Sequence, residues 1–220
     1  MSKKEVTDRI KVRRLPERGR YERDEIYPIV DAAILCHVGF SIDSQPYVIP
    51  MGFARDGDSL YLHGPTRGRI MKHLKSGASA CVTISHLDGL VLAKSQFHHS
   101  MNYRTAILFG TCTEIADPRE KSDGLNKLVA HLAQGQENYA RAGNAQELKA
   151  TTLLRFEIEE ASAKIRTGPP SDAVEDLKLD IWSGVIPLAL GAGEIIPDPV
   201  DSPEKEIPAH VFELYEKLKG

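Results

Sequence analysis

Apolar and polar positions alternate with a period of two through most of the chain and switch to a helical period in only a few places. "HVGFSID" (from His37) and "PYVIPMGFARDGDSLYLHG" (from Pro46) read as strands, and Asp56-Gly57 between two apolar segments reads as a hairpin turn. "SACVTISHLDGLVLAK" (from Ser79) reads as two more strands joined at Asp88-Gly89. "MNYRTAILFGTCTEIA" (from Met101) reads as one long strand rich in β-branched and aromatic residues. "KATTLLRFEIEEASAKIRTG" (from Lys149) returns to strand, and "DIWSGVIPLAL" (from Asp180) is a further apolar extended stretch.

Helical spacing is confined to four places. Asp24 is placed to cap a short helix through "EIYPIVDAAILC", with Pro28 in its first turns. Ile70, Met71 and Leu74 mark the buried face of a second. Asp117 and Pro118 form an N-cap and first-position pair before the stripe Leu125, Leu128, Val129 and Leu132. Val211, Leu214 and Leu218 mark a last amphipathic segment. About six or seven strands with close-spaced turns and few helices predict a mainly β fold, a closed antiparallel barrel with peripheral helices. Residues 1–20, broken by Pro16 and Gly19, read as an extended arm, 21–200 as one domain, and 201–220 as a tail with a short helix.

Composition narrows the function classes. A net charge of -3 argues against general affinity for nucleic acid, which needs a basic surface. Cys36, Cys81 and Cys112 are odd in number and lack CxxC spacing, so neither a disulfide framework nor a zinc site is expected. His98 and His99 are adjacent, and on a strand they would point to opposite faces, so no metal is expected there. The charged N-terminus lacks an apolar core of the secretory kind, and no apolar run approaches the length of a membrane span. The expected setting is cytoplasmic.

One loop carries a chemical signal. Between "LYLH" and the helical Ile70 lie Gly64, Pro65, Thr66, Arg67, Gly68 and Arg69. Arginine in the first turn of a helix opposes the macrodipole by roughly 0.3–1 kcal/mol. Two of them there make sense around an anion, with Thr66 as N-cap and the guanidinium groups binding a phosphate bidentately. Solvated arginines paired with acidic residues elsewhere are the competing reading. Neither a P-loop nor a dinucleotide fingerprint is present. Just upstream, Pro50 cannot donate to a ladder, so Val48, Ile49, Pro50 and Met51 read as an edge whose backbone can meet a flat polar ring or simply as an ordinary edge strand.

Five blocks in fixed order resemble a known family: "RRLPERGRYERDEIYPIVD", "PYVIPMGFARDGDSLYLHG", "LDGLVLAKSQFHHSMNYRTAILFG", "ASAKIRTGPPSD" and "IWSGVIPL". They are similar to the FMN-binding split-barrel proteins related to pyridoxamine 5'-phosphate oxidase, in the subgroup of flavin-nucleotide-binding and nitroimidazole-resistance proteins. The resemblance runs from about Arg13 to Pro208. It implies a six-stranded antiparallel split β-barrel, a homodimer, and FMN in a cleft between subunits. By the same resemblance Val48, Ile49, Pro50 and Met51 line the flavin ring, and His63, Gly64, Pro65, Thr66, Arg67 and Arg69 hold the phosphate. Tyr103, Arg104 and Thr105 approach the ring or ribityl chain, and Lys164, Arg166 and Trp182 approach from the dimer seam. The family often has Gly-Arg where this chain has Gly135-Gln136, and "ENYARAGNAQ" is unusually polar, which puts a lid or substrate contact in doubt.

His63 follows the strand on the same side as Tyr61. It reads either as a proton donor, as the resemblance to the nitroimidazole-resistance proteins implies, or as a loop-positioning side chain. Trp182 reads as a core residue or a flavin contact, and Lys164 and Arg166 as an anion site or as ion pairs with "EIEE". The implied activity is an FMN-dependent oxidoreductase passing electrons from a donor such as NAD(P)H to a small flat acceptor. The alternatives are a flavin carrier or sensor without turnover, and a split barrel that binds haem or a deazaflavin. Pyridoxamine phosphate oxidation itself is not implied, because the subgroup that the chain resembles lacks that enzyme's characteristic C-terminal substrate-binding sequence.

Overall fold

The computed structural model describes residues 6–200 and 205–219, so parts of the arm and tail lie outside the described residues. Its antiparallel sheet comprises β1 (Gly19–Arg20), β2 (Leu35–Ile42), β3 (Gln45–Asp56), β4 (Ser59–Pro65), β5 (Ala80–Leu92), β6 (Ser100–Glu114), β7 (Thr151–Arg166) and β8 (Gly184–Pro187). Six of the eight close a ring in the order β7-β4-β3-β2-β5-β6 and back to β7. The six-stranded barrel is present, and two short strands add to it: β1 on β7 and β8 on β5. The helices are α1 (Arg23–Asp31), α2 (Arg69–Leu74), α3 (Pro118–Leu132), α4 (Gln136–Tyr139), α5 (Ala145–Ala150) and α6 (Ala209–Leu218).

The period-two pattern decides which side chains fill the ring. Cys36, Val38 and Phe40 alternate inward from β2, as do Leu60 and Leu62 from β4, Val82 and Ile84 from β5, and Ala106 and Leu108 from β6. Ile26, Ile29 and Val30 of α1 and Met71 and Leu74 of α2 join the same cluster. Each fully buried Leu or Ile stabilises by about 2 kcal/mol relative to exposure. A second, smaller cluster of Ala54, Tyr61, Ile115, Leu128 and Leu153 lies under α3, so Tyr61 faces the opposite way from its neighbours Leu60 and Leu62.

Two expected features stand as read. Asp56 and Ser59 pair across the expected hairpin, whose Gly57 has φ +59°. Asp117 caps α3 by accepting from the backbone N–H of Arg119 and Glu120, with Pro118 at the first position.

Three details differ from the sequence reading. Asp88-Gly89 is not a turn between two strands: β5 runs straight through it, with a bulge between Leu87 and Gly89. The reason lies on the neighbouring strand, where the Arg104 guanidinium donates to both Asp88 carboxylate oxygens at 2.8 and 2.9 Å. Asp24 is not the cap of α1. Glu22 occupies that position without a side-chain bond, Asp24 lies in the first turn, and the helix ends at Asp31 because Leu35 already belongs to β2. Thr66 is not the cap of α2, which starts after Gly68. Its N–H donates to the Ala150 carbonyl at 2.9 Å and its hydroxyl to that of Lys149 at 3.3 Å, so Thr66 ties the loop to the end of α5.

Among the described residues one half-buried side chain has a buried polar atom without a partner. His73 Nε2 is buried with no hydrogen-bond partner, and the ring lies 5.4 Å from that of Phe40. An unpaired buried donor or acceptor costs about 1–3 kcal/mol. His73→Phe is therefore expected to stabilise the protein by about 1 kcal/mol, read as a raised urea midpoint at unchanged slope.

Candidate functional site: the split between β3 and β4

The ring is incomplete at one place. β3 pairs with β2 from Gln45 to Gly52, but with β4 only from Phe53 to Asp56. On the other side His63, Gly64 and Pro65 pair with Leu153, Thr152 and Thr151 of β7 and, among the described residues, have no ladder partner toward β3. Val48 to Met51 therefore line a free backbone edge, as Pro50 led us to expect. Val48 is 65% exposed, while Ile49 and Met51 turn inward and pack on the core.

The loop from Gly64 to Arg69 closes the lower end of this split. Gly68 N–H donates to the Pro65 carbonyl at 2.7 Å, which makes a tight turn before α2. Arg67 thus precedes the helix and only Arg69 lies in its first turn. Arg69 lies over the Tyr47 ring at 4.3 Å, a cation–π contact. Neither arginine has a carboxylate partner among the described residues, whereas Arg55, Arg104, Arg141 and Arg155 each hold one. Pairing with acidic residues is therefore not what positions Arg67 and Arg69.

The remaining expected residues lie elsewhere in the chain. Tyr103, Arg104 and Thr105 of β6 pair with Arg166, Ile165 and Lys164 of β7. Lys164 is distant from Leu153, which faces His63, by roughly 35 Å of strand at about 3.3 Å per residue. Each of these polar groups except Tyr103 has an assigned partner. Thr105 donates to the Ile84 carbonyl at 2.9 Å, and Lys164 to the Arg14 carbonyl at 2.9 Å. Arg166, only 7% exposed, donates to Asn102 Oδ1 and to the carbonyls of Gly168 and Pro169. Burial and the nearby Arg18 push its pKa down from the ordinary arginine value. Of the acidic residues of "EIEE", Glu159 and Glu160 are met by Arg9 instead, and Glu157 accepts from the Ser59 hydroxyl at 2.8 Å. Trp182 is 68% exposed, so it is not a core residue.

The hydrogen bonds from Arg104 hold the Asp88 carboxyl below the usual carboxylate range. A folded-state pKa below the unfolded one, about 3.9, adds stability above that value and loses it as pH falls through the folded value. Asp88→Asn should therefore lower the urea midpoint at pH 7, and the gap from the wild type should narrow at pH 3.

Reading the chain alone missed a cavity. About 210 Å³ lies between α3 and the top of the split, lined by Ile34, Gly52, Phe53, His63, Leu125, Leu128, Val129 and Leu132. The stripe on α3 signalled an apolar face, and part of that face covers empty space rather than core. His63 is exposed and has no hydrogen-bond partner among the described residues, and the part of its ring packed toward the cavity pushes its pKa below the usual imidazole value. His98 and His99 both turn to Ser95, at a one-turn 3-10 helix rather than on a strand. Among the described residues no group of three or more His, Cys, Asp or Glu could hold a metal ion, and no helix is long and apolar enough to cross a membrane.

Against this geometry the chain was compared with known proteins. A search of curated proteins found no match. The flavocytochrome Anf3 of Azotobacter vinelandii is 37% identical, with a TM-score of 0.88 over 94% of this chain and 96% of that one. An FAD and haem binding protein of Mycobacterium smegmatis is 33% identical, with a TM-score of 0.86 over 92% and 98%. A Bacteroides thetaiotaomicron protein assigned to 5-nitroimidazole antibiotic resistance shares the fold at 22% identity, with a TM-score of 0.55 over 67% and 87%. The family model for pyridoxamine 5'-phosphate oxidase matches residues 22–165, which span the ring from α1 to the end of β7. With its closed ring and its split, the chain belongs to the pyridoxamine 5'-phosphate oxidase family.

Proposed function

We propose that this protein is a redox flavoprotein that holds a flavin nucleotide along the β3–β4 split. The observation that carries the reading is the pair of arginines without carboxylate partners at the end of an unpaired strand edge. The residues fit the group. Free backbone N–H and C=O groups between Val48 and Met51 match the polar edge of a flavin ring, and Arg67 and Arg69 match its phosphate. Similarity over nearly the whole length to the flavocytochrome and to the FAD and haem binding protein supports a flavin, and the second of them favours FAD over FMN. A bound flavin supplies reversible electron transfer, here from a donor such as NAD(P)H to a small flat acceptor. The chain orients the ring, neutralises the phosphate and, through the imidazole of His63, gives or takes a proton at the top of the split.

A second copy of the chain completes the cleft in this proposal. The distant end of the ring exposes Leu87, Met101, Trp182 and Ile186, large apolar residues of the kind a homodimer buries. It also carries Tyr103 and Lys164, which in this proposal a second subunit brings to the split, while Arg166 is buried and holds Asn102 and the carbonyls of Gly168 and Pro169 in place.

The two full-length matches also favour a second reading, in which haem accompanies the flavin. Iron would need an imidazole nitrogen without another partner. His37, on β2, has one: its exposed side chain makes no hydrogen bond among the described residues.

The test is the absorbance spectrum of the purified protein, with chromatography of the released cofactor and sedimentation of the holoprotein. A flavin spectrum, FAD on release and a dimer are expected, and a Soret band would add the haem. A flavin that neither NADH nor NADPH reduces would make the protein a carrier. A colourless protein that takes up neither FMN nor FAD would overturn the proposal.

A further inference from the structure

The cavity beside the split is walled by Phe53 and the α3 side chains Leu125, Leu128 and Val129, with Gly52 and His63 on the side of the split. It has no charged lining residue, and its only polar side chain is the unpartnered His63. At about 210 Å³ it is smaller than the roughly 300–1,000 Å³ of drug-sized sites, which limits its occupant to one or two fused rings. A charged ligand would be desolvated there without a counter-ion, at a cost of several kcal/mol. His63 is itself partly open to solvent, so an aliphatic or purely hydrocarbon ligand would leave its ring only water to bond, whereas a carbonyl offers it a partner inside the cavity.

We infer that this cavity binds an uncharged one- or two-ring aromatic compound bearing a carbonyl, with an imidazole N–H of His63 donating to the carbonyl oxygen. This gives the flat acceptor of the proposed flavoprotein a chemical class and a place, and to that extent it rests on that reading. Gly52 belongs both to the cavity wall and to the free edge of β3, so an occupant lies next to whatever the edge holds. Partial burial lowers the pKa of His63 from the usual imidazole value, which favours the neutral ring.

The probe is 1-tetralone, titrated calorimetrically into the purified holoprotein, with tetralin as the same skeleton lacking the carbonyl. Val129→Trp fills the cavity, and Leu132→Trp does so from a position that is 59% exposed and so spares the core. Both are expected to weaken 1-tetralone at least tenfold while keeping wild-type flavin content and melting behaviour. His63→Phe is expected to weaken 1-tetralone about tenfold and to leave tetralin within twofold. The inference is overturned if 1-tetralone does not bind the wild type, binds both tryptophan variants within twofold of it, or loses no more than tetralin in His63→Phe. Loss of flavin from both tryptophan variants would also overturn it, by making the cavity part of the cofactor site. Should the purified protein carry no flavin and take up neither FMN nor FAD, the flavin proposal fails by itself, and the same titration still reads the cavity.

Discussion

Replacing Arg67 and Arg69 together by alanine is expected to weaken FMN on the order of a hundred- to a thousand-fold and riboflavin less than threefold. The two ligands differ only in the phosphate. Charge-assisted hydrogen bonds contribute about 1.5–3 kcal/mol each, and both arginines are exposed, so the low end applies. Two such bonds at about 1.5 kcal/mol give roughly two decades. Arg69 adds to this because its position over Tyr47 limits its freedom before any ligand arrives. Flavin fluorescence titration of the cofactor-free protein reads both constants. Equal loss for FMN and riboflavin would remove the phosphate from this loop.

A second large effect is expected far from the split. At Gly110 an added Cβ would lie 1.8 Å from the Glu157 carbonyl oxygen and 3.1 Å from the Phe156 ring. This is the bulge in the β6–β7 ladder, where Phe109 faces Glu160 and Gly110 faces Ile158. The obstacle is backbone held by the ladder on both sides, so alanine must part the two strands. Gly110→Ala should destabilise by about 4 kcal/mol, in the range reserved for severe core disruption. Gly124→Ala provides the contrast. Its nearest atom, at 2.5 Å, is Cδ2 of Leu153, the end of a side chain that can rotate, and a loss of about 1 kcal/mol is expected. Urea unfolding of both variants measures the difference. A Gly110→Ala protein within about 1 kcal/mol of wild type would mean that the seam has slack the geometry does not show.

Why some of this was legible in the sequence and some was not comes down to the range of the interactions involved. The Asp117-Pro118 start of α3 and the turn at Gly57 are decided within a few residues, and pattern alone identified them. Asp88-Gly89 has the composition of a turn, and what makes it a bulge is Arg104 on the adjacent strand. Thr66 has the chemistry of an N-cap, but the Ala150 and Lys149 carbonyls, brought close by the β4–β7 pairing, hold it in the loop. The absence of carboxylates around Arg67 and Arg69 is likewise a tertiary fact. Periodicity found the apolar face of α3 without saying that its stripe also lines a cavity. The resemblance grouped Arg67 with Lys164 and Arg166, which the length of β7 keeps at opposite ends of one protomer.

The place of β7 in the ring also bears on how the chain is made. It is the last ring strand in sequence, yet it pairs with β1, β4 and β6, through contacts such as Gly19 with Lys164 and Ser59 with Glu157. During synthesis the first five ring strands emerge before anything can close them. Until Arg166 has left the ribosome, β4 and β6 are open edges, the geometry through which nascent chains stick to one another. Pairing over such separations is also slow. Chain elongation through β7 is therefore the interval in which this protein most needs a chaperone.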